Sequence, residues 1–455
     1  LSGYNFFAFT FVVLSACADA GDIDAGFEDW NAVFFCITAQ SASAAAFRSD
    51  GLPSTNLCCE AAAIGVSKHH MIPLCVPNIS GNEGKYLAEC VTSTFVSTIG
   101  PFVTRFEKMV AEAAGSRGAV ATSAGTTALH AALVAVGVKR DDIVICPALT
   151  FIASANAISH AGATPWLFDV DWSSWTIDPI VVAHELANGT ERRGGELIHI
   201  ETGRRISAIL PVFTLGIPAD MDAIIGIARD YGLKVVVDGA AALGAIYKGN
   251  MSGALGADLT MYSFNGNKTV TAGGGGAVAG DDEALLTRFR HLTTTGRVGA
   301  DYDHDVAAFN YRMTNLQAAV GCAQMERLDD FVAAKRRIAA RYEDAFWNIE
   351  GINNFPEPDW AGSAAWFSGF AFHDDDAGER SYALRAHLRE EGIDARPFWK
   401  PMHNQKPYFD APRSPMPVTD RLWPGVVTLP CSTHLAEAEQ DKVIETVLNW
   451  FHGKH

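Results

Sequence analysis

From residue 71 onward, short runs rich in Val and Ile alternate with stretches in which apolar residues recur every three or four positions. The runs read as strands and the periodic stretches as helices. In chain order the pattern predicts helices over 86–94 and 103–114, a strand over 117–122, and a sharp turn into SAGTTALHAALVAVGV, a helix ending near Gly137. That helix is apolar almost all round and is expected to be buried. Strands follow in DIVICPALTF (142–151), TPWLFDVD (164–171), RISAILPVF (205–213) and LKVVVDGA (233–240), with helices at 151–162 and 221–231 between them. Strands with so little polar alternation belong to a parallel sheet covered on both faces. Ligands gather at the carboxyl ends of such strands, where Ser123, Thr150 and Asp238 stand.

The pattern changes after about residue 325. The stretch 328–347, rich in Ala, Arg and Lys, reads as a long exposed helix leading to a smaller α+β unit that ends at His455. This divides the chain into a large domain over 71–327 and a small C-terminal domain over 328–455. Residues 1–70 differ in kind. An apolar run over 4–17 is shorter than the roughly 20 residues a membrane helix needs and has no basic flank before it, and the rest has no sustained period. The first methionine is Met71, where the regular alternation begins. The expectation is that the functional chain starts there, leaving 455 − 70 = 385 residues, and that 1–70 is an atypical extension rather than an authentic targeting segment.

Composition removes some function classes. With 48% hydrophobic residues and 19% charged residues, the chain is that of a globular protein with a sizeable core. A net charge of −17, with no basic cluster, argues against a nucleic-acid backbone binder. The nine cysteines are irregularly spaced, with no CxxC pair and no Cys/His metal spacing, so reduced thiols in a cytoplasmic protein without a metal centre are expected.

Candidate chemistry centres on 261–278, MYSFNGNKTVTAGGGGAV. Lys268 sits there among small polar residues, followed by the glycines 273–276, which let backbone approach a ligand. A lysine becomes a nucleophile where burial or neighbouring charge lowers its pKa, although a glycine turn beside a solvated lysine gives the same text. At 123–129, SAGTTAL, a strand end turns into a helix whose free amides at Gly125 and Thr126 suit a phosphate; a plain capped helix is the alternative. Asp238 closes the run Val235, Val236, Val237. A carboxylate there is costly unless something cationic meets it, which a protonated pyridine nitrogen would do; a salt bridge to an arginine or an ordinary cap is the alternative. Phe151 stands at another strand end, placed to stack on an aromatic ring or to fill the core. Asn310 and Arg312 lie in a later polar and aromatic segment, FNYRMTN.

Taken together, AGTTALHAAL, ALTFIASANAISHAGATPWLFDVD, ILPVFTLGIPADMD, VVVDGAAALGAIYKG, SFNGNKTVTAGGGGAV, FNYRMTNLQAAVG and ARPFWKPMH resemble the DegT/StrS-type branch of the pyridoxal phosphate (PLP)-dependent nucleotide-sugar aminotransferases. The resemblance runs from Met71 to about residue 450. It implies an α/β fold of the fold-type I PLP-dependent transferase class, a large domain with a mostly parallel sheet and a smaller C-terminal α+β domain. It also implies that Lys268 binds pyridoxal 5'-phosphate covalently, Asp238 meets the pyridine nitrogen and Phe151 stacks on the ring. Gly125, Thr126 and Ser263 would hold the phosphate, with Asn310 reaching it from the other subunit of a homodimer. Ala241 stands where the family usually carries Gln, Glu or His near the phenolic oxygen. Retention of Lys268 distinguishes the chain from the family's sugar dehydratases, which have histidine there.

By the same resemblance L-glutamate is the amino donor, Lys268 moves the proton as general acid and base, and the acceptor is a nucleotide-linked keto-sugar. IPLCVPNISGNEGKYLAEC and SFNGNK look most like members acting on UDP-linked 4-keto-6-deoxy-N-acetylhexosamines in bacillosamine and legionaminic-acid pathways. His304, Arg312 and His403 are candidates for touching the sugar nucleotide. A PLP-dependent dehydratase, an aminotransferase for a non-nucleotide cyclic ketone, and a PLP-binding regulator without turnover are the alternatives.

Overall fold

The computed structural model describes residues 71–453, so the expectations about 1–70 lie outside the described residues. The apolar runs form the strands β1 (Gly118–Thr122), β2 (Ile143–Pro147), β3 (Thr164–Phe168), β4 (Arg204–Ile209), β5 (Lys234–Asp238), β6 (Leu259–Ser263) and β7 (Gly276–Gly280). They lie in the order β1-β7-β6-β5-β4-β2-β3, and a hairpin of Thr190–Arg193 and Glu196–His199 extends β4, making nine strands. The stretch from β6 through β5, β4 and β2 to β3 is parallel throughout. Only β7 runs against its two neighbours on this path.

Residues along each strand serve two cores, which is why the runs are apolar on both faces. Val144, Cys146, Ala208 and Val236 pack with the helices α1 (Gly125–Ala135) and α2 (Ile152–His160), whereas Ile143, Ile145, Ile209 and Val235 pack with α3 (Pro179–Gly189) and α4 (Met221–Tyr231). Helix α1 is buried on nearly all sides, as its composition predicts. Every buried Leu or Ile in these layers is worth about 2–5 kcal/mol against truncation to alanine.

A second, four-stranded sheet is built from Ile352–Asn354, Ser368–Phe372, Val426–Leu429 and Arg396–Pro397, in that order. Helix α5 (Leu328–Phe346) joins the two sheets and corrects the reading of this stretch as exposed. Leu328, Phe331 and Val332 enter the core beside β1 and β7, and Ile338, Tyr342 and Phe346 enter the core of the second sheet. The i, i+3, i+4 spacing of these residues makes one apolar stripe, and the charged residues between them disguise it in the sequence. Lys335 lies on that stripe and is fully buried.

The segment just after Met71 runs along the second sheet's loops. Ile72 bridges Ile393, the Cys431 amide donates to the Leu74 carbonyl at 2.7 Å, and the Val76 amide donates to Ser432 Oγ at 3.1 Å.

Candidate active site

A cavity of about 320 Å³ opens at the carboxyl ends of β5 and β6. It brings together Gly125, Thr126, Phe151, Asp238, Ser263 and Lys268 from the sequence-predicted set, with Ala241 also on its wall.

Asp238 ends β5 at the cavity floor and is 5% exposed. Its Oδ2 accepts from Ser154 Oγ at 2.7 Å and its Oδ1 from the Ala240 amide at 3.1 Å. Ser154 in turn meets Thr150 Oγ1 at 2.7 Å. Burial still holds the Asp238 carboxyl above the usual range, while the two hydrogen bonds and the Lys268 charge pull the other way. Among the described residues no arginine pairs with it, so the arginine alternative left open by the sequence does not apply.

Lys268 rides on the loop between β6 and β7. Phe264, buried edge-on against Phe106 at 4.8 Å, closes that loop by donating to the Gly275 carbonyl and accepting from the Ala272 amide, both at 2.9 Å. The lysine is half-buried, and its Nζ stands 3.5 Å from the centroid of the Trp366 ring. Burial lowers its pKa to about 8 against the raising charge of Asp238, so neutral amine is accessible near neutral pH.

The helix α1 begins at Gly125 with Ala124 as its N-cap, and among the described residues no side chain caps it. Its first amides are therefore free for an anion, and the capped-helix alternative falls away. The backbone is crowded on purpose here: a Cβ on Gly276 would stand 2.6 Å from the Ala124 carbonyl oxygen and 2.7 Å from the Gly125 amide nitrogen. Phe151, 55% exposed, presents its ring across the mouth from Trp399 at 5.9 Å. A buried acid lacking a cation, an uncapped helix start, an exposed ring and a neutralisable lysine around one cavity fit PLP in its nitrogen, phosphate, ring and aldehyde respectively.

Four predicted residues lie off this cavity within the one chain. Asn310 is exposed and bridges Thr294. His304 is exposed and its Nδ1 meets the Thr295 carbonyl at 2.9 Å. Arg312 is half-buried and bridges Thr122 through its backbone. His403 is buried, with Nε2 2.8 Å from Asp420 and Nδ1 without a partner among the described residues, in a separate recess of about 450 Å³ beside Arg413. Sequence reasoning did not single out Trp366, Trp399 or Ser154. Trp399 was in view within ARPFWKPMH and Ser154 within ALTFIASANAISHAGATPWLFDVD, but nothing local marks Trp366.

The sequence model of the DegT/DnrJ/EryC1/StrS aminotransferase family matches residues 77–448. EpsN of Bacillus subtilis (strain 168), provisionally named a pyridoxal phosphate-dependent aminotransferase, is 36% identical over 390 residues, covering 84% of this chain and 97% of that protein. GDP-perosamine synthase of Caulobacter vibrioides is 36% identical over 375 residues, covering 82% and 96%. Among solved structures, DesI in the presence of its TDP-sugar product matches with a TM-score of 0.73 at 27% identity, covering 84% of this chain and 93% of that one.

Proposed function

The chain belongs to the DegT/DnrJ/EryC1/StrS aminotransferase family and is a PLP-dependent aminotransferase; from that premise we propose that it moves an amino group from L-glutamate to a nucleotide-linked keto-sugar. The observation that carries the reading is Lys268, with its pKa lowered to about 8, sharing a cavity with the buried Asp238 and the uncapped start of α1. The UDP-linked 4-keto-6-deoxy-N-acetylhexosamine is our first acceptor, on the stretches IPLCVPNISGNEGKYLAEC and SFNGNK. The relative named GDP-perosamine synthase favours a second reading, a GDP-linked acceptor.

PLP, when bound, supplies the aldehyde that carries nitrogen between substrates and a ring that withdraws electrons from the reacting carbon. Lys268 is the residue that would hold it covalently and, as a neutral amine, take and return the proton at the reacting carbon. Asp238 would meet the pyridine nitrogen as a carboxylate, with Ser154 and the Ala240 amide fixing its orientation. Gly125, Thr126 and Ser263 would seat the phosphate, and Phe151 would stack on the ring. Asn310 is proposed to complete the phosphate seat of a second copy, with His304 and Arg312 on the same part of the chain reaching the sugar nucleotide there, and His403 touching it from the recess beside Arg413. Residues 71–327 form the cofactor-binding domain of this reading and 328–455 the smaller one. Cysteine usage supports a cytoplasmic location; among the described residues no helix is long and apolar enough to cross a membrane.

The test is a panel of UDP-, GDP- and dTDP-linked 4-keto-sugars incubated with L-glutamate, read by product mass and release of 2-oxoglutarate. An amino sugar from one nucleotide series is expected. Donor turnover with none of the panel aminated would overturn the acceptor class.

A further inference from the structure

Lys335 is fully buried, yet among the described residues its partners include no carboxylate. Its Nζ donates to the Trp366 carbonyl at 2.8 Å, to Cys75 Sγ at 3.3 Å and to Cys431 Sγ at 3.4 Å. A buried ammonium without an anion is costly, and sulfur is the only group here able to become one. The two cysteines come from distant parts of the chain, brought side by side by the hydrogen bond from the Cys431 amide to the Leu74 carbonyl. Cys75 is half-buried and followed by the exposed Val76 and Pro77, which puts it nearer solvent than Cys431, which is fully buried. Both are free thiols.

We propose that Cys75 and Cys431, held against the Lys335 ammonium, form a peroxide-sensitive dithiol that closes to a disulfide next to the cofactor lysine. The Cys75 thiolate attacks one oxygen of a hydroperoxide; the S–O bond forms, the O–O bond breaks, and the departing hydroxide takes up the proton Cys75 gave away, leaving as water. The Cys431 sulfur then attacks the sulfenic sulfur; the S–S bond forms, the S–O bond breaks, and hydroxide leaves with the Cys431 proton as a second water. Two thiols lose two electrons and the peroxide gains them.

The electrostatics agree with this division of labour. A hydrogen bond from the Cys431 thiol and the Lys335 charge bring Cys75 to about 6 despite its burial, while the same hydrogen bond and burial hold Cys431 well above the usual thiol range. Cys75 is thus the attacking thiolate and Cys431 the resolving thiol.

The pair is wired to Lys268 by two short paths. The Asn267 carbonyl accepts from Trp366 Nε1 at 2.7 Å and lies 3.4 Å from Cys75 Sγ. Trp366, whose carbonyl holds Lys335, carries the ring against Lys268 Nζ. Closing the disulfide removes the anion facing Lys335 and leaves two lysine charges opposed, which favours the neutral amine at Lys268.

The full-length holoenzyme is treated with dilute hydrogen peroxide, remaining thiols are alkylated, and intact mass and peptide maps are read. The expected result is a loss of about 2 Da confined to a linked Cys75–Cys431 peptide pair, reversed by dithiothreitol. C431S is expected to leave Cys75 as a dimedone-trappable sulfenic acid, and C146S to form the link unchanged. Iodoacetamide at pH 7 should label Cys75 at least tenfold faster in the native enzyme than in K335M. The PLP absorbance titration should shift to lower pH on oxidation. Oxidation scattered over other cysteines, an oxygen adduct on Cys75 without the link, or equal labelling in K335M would each overturn the proposal, and an unshifted titration with the link formed would overturn its coupling to Lys268. None of the mass readouts depends on the acceptor sugar.

Discussion

Two lysines, Lys268 on the cavity wall and Lys335 in the helix α5, are withdrawn from water within a few residues' reach of the same tryptophan, yet they are held in opposite states. Lys268 has the Trp366 ring as its partner and its pKa falls to about 8. Lys335 has the Trp366 carbonyl and two sulfurs as partners; burial pulls its pKa down, but the charge and hydrogen bonds of the Cys431 and Cys75 sulfurs outweigh it and raise the pKa above the ordinary lysine value. Desolvation acts on both. What separates them is whether the surrounding groups solvate the ammonium: a ring face does so weakly, and a carbonyl with a thiolate does so well. Burial alone therefore does not make a lysine a nucleophile; burial with too few acceptors does.

The largest break in this comparison is removal of the reactive amine. K268A is expected to lose at least about 10³-fold in turnover, and borohydride reduction of the PLP-loaded protein should leave no label in the peptide that contains position 268. K335M, by contrast, should keep that label. Next comes the acid. D238N retains the hydrogen bond with Ser154 but cannot face a pyridine nitrogen as an anion, and a loss of about 10²–10³-fold in turnover is expected with PLP still bound, read by steady-state kinetics and the absorbance of the loaded enzyme.

On the structural side of the pair, K335A removes the counter-ion of a buried sulfur, orphans the Trp366 carbonyl and opens a cavity, so urea unfolding should report about 3–5 kcal/mol of lost stability. K335M fills the space and lets the thiols stay neutral, and should cost less. If both substitutions were silent, the contrast drawn between the two lysines would fail.

Much of this was legible in the sequence, and the misses share a cause. Runs such as IVICP and KVVVD announce buried parallel strands because each residue must be apolar on whichever face it lands. Lys268, Asp238 and the start of α1 were visible because their local text is odd: a lysine before a glycine run, an acid closing a valine run, a strand turning through a glycine straight into a helix. Trp366 was not visible, because its role arises from a contact with a carbonyl 99 residues away. Ser154 looks like any helical serine until the fold sets it under Asp238. The burial of α5 was missed because its arginines, lysines and alanines dominate the composition while its apolar stripe is carried by only a few positions.

A pH series sharpens the comparison further. Capture of free PLP by the apo-enzyme requires neutral Lys268, so its rate should rise about tenfold per pH unit below the pKa of about 8 and level off above it. The sign for stability is the same: the folded state holds the amine's proton less tightly than the unfolded chain does, so its burial penalty is fully present below about pH 8 and is relieved as the pH climbs toward the ordinary value of 10.5. A capture rate still rising at pH 10 would mean that Lys268 is solvated as well as Lys335 is.

The smallest effect is expected from a change that touches neither lysine. Gly276 opens β7 where it passes against the turn into α1, and an alanine there would push on the Ala124 carbonyl and the Gly125 amide, groups it would approach to 2.6–2.7 Å. The strand is paired on both sides, so the Thr122 and Ser263 backbones leave it little room to retreat. The turn should yield instead, tilting the free amides by a few tenths of an ångström and weakening their grip on a phosphate without altering the amine or the acid. G276A is therefore expected to bind PLP about tenfold more weakly by equilibrium titration, while turnover at saturating PLP falls by less than about threefold. A fall in turnover that excess PLP fails to restore would place the strain at Lys268, through the loop that Gly275 and Phe264 close, rather than at the phosphate seat.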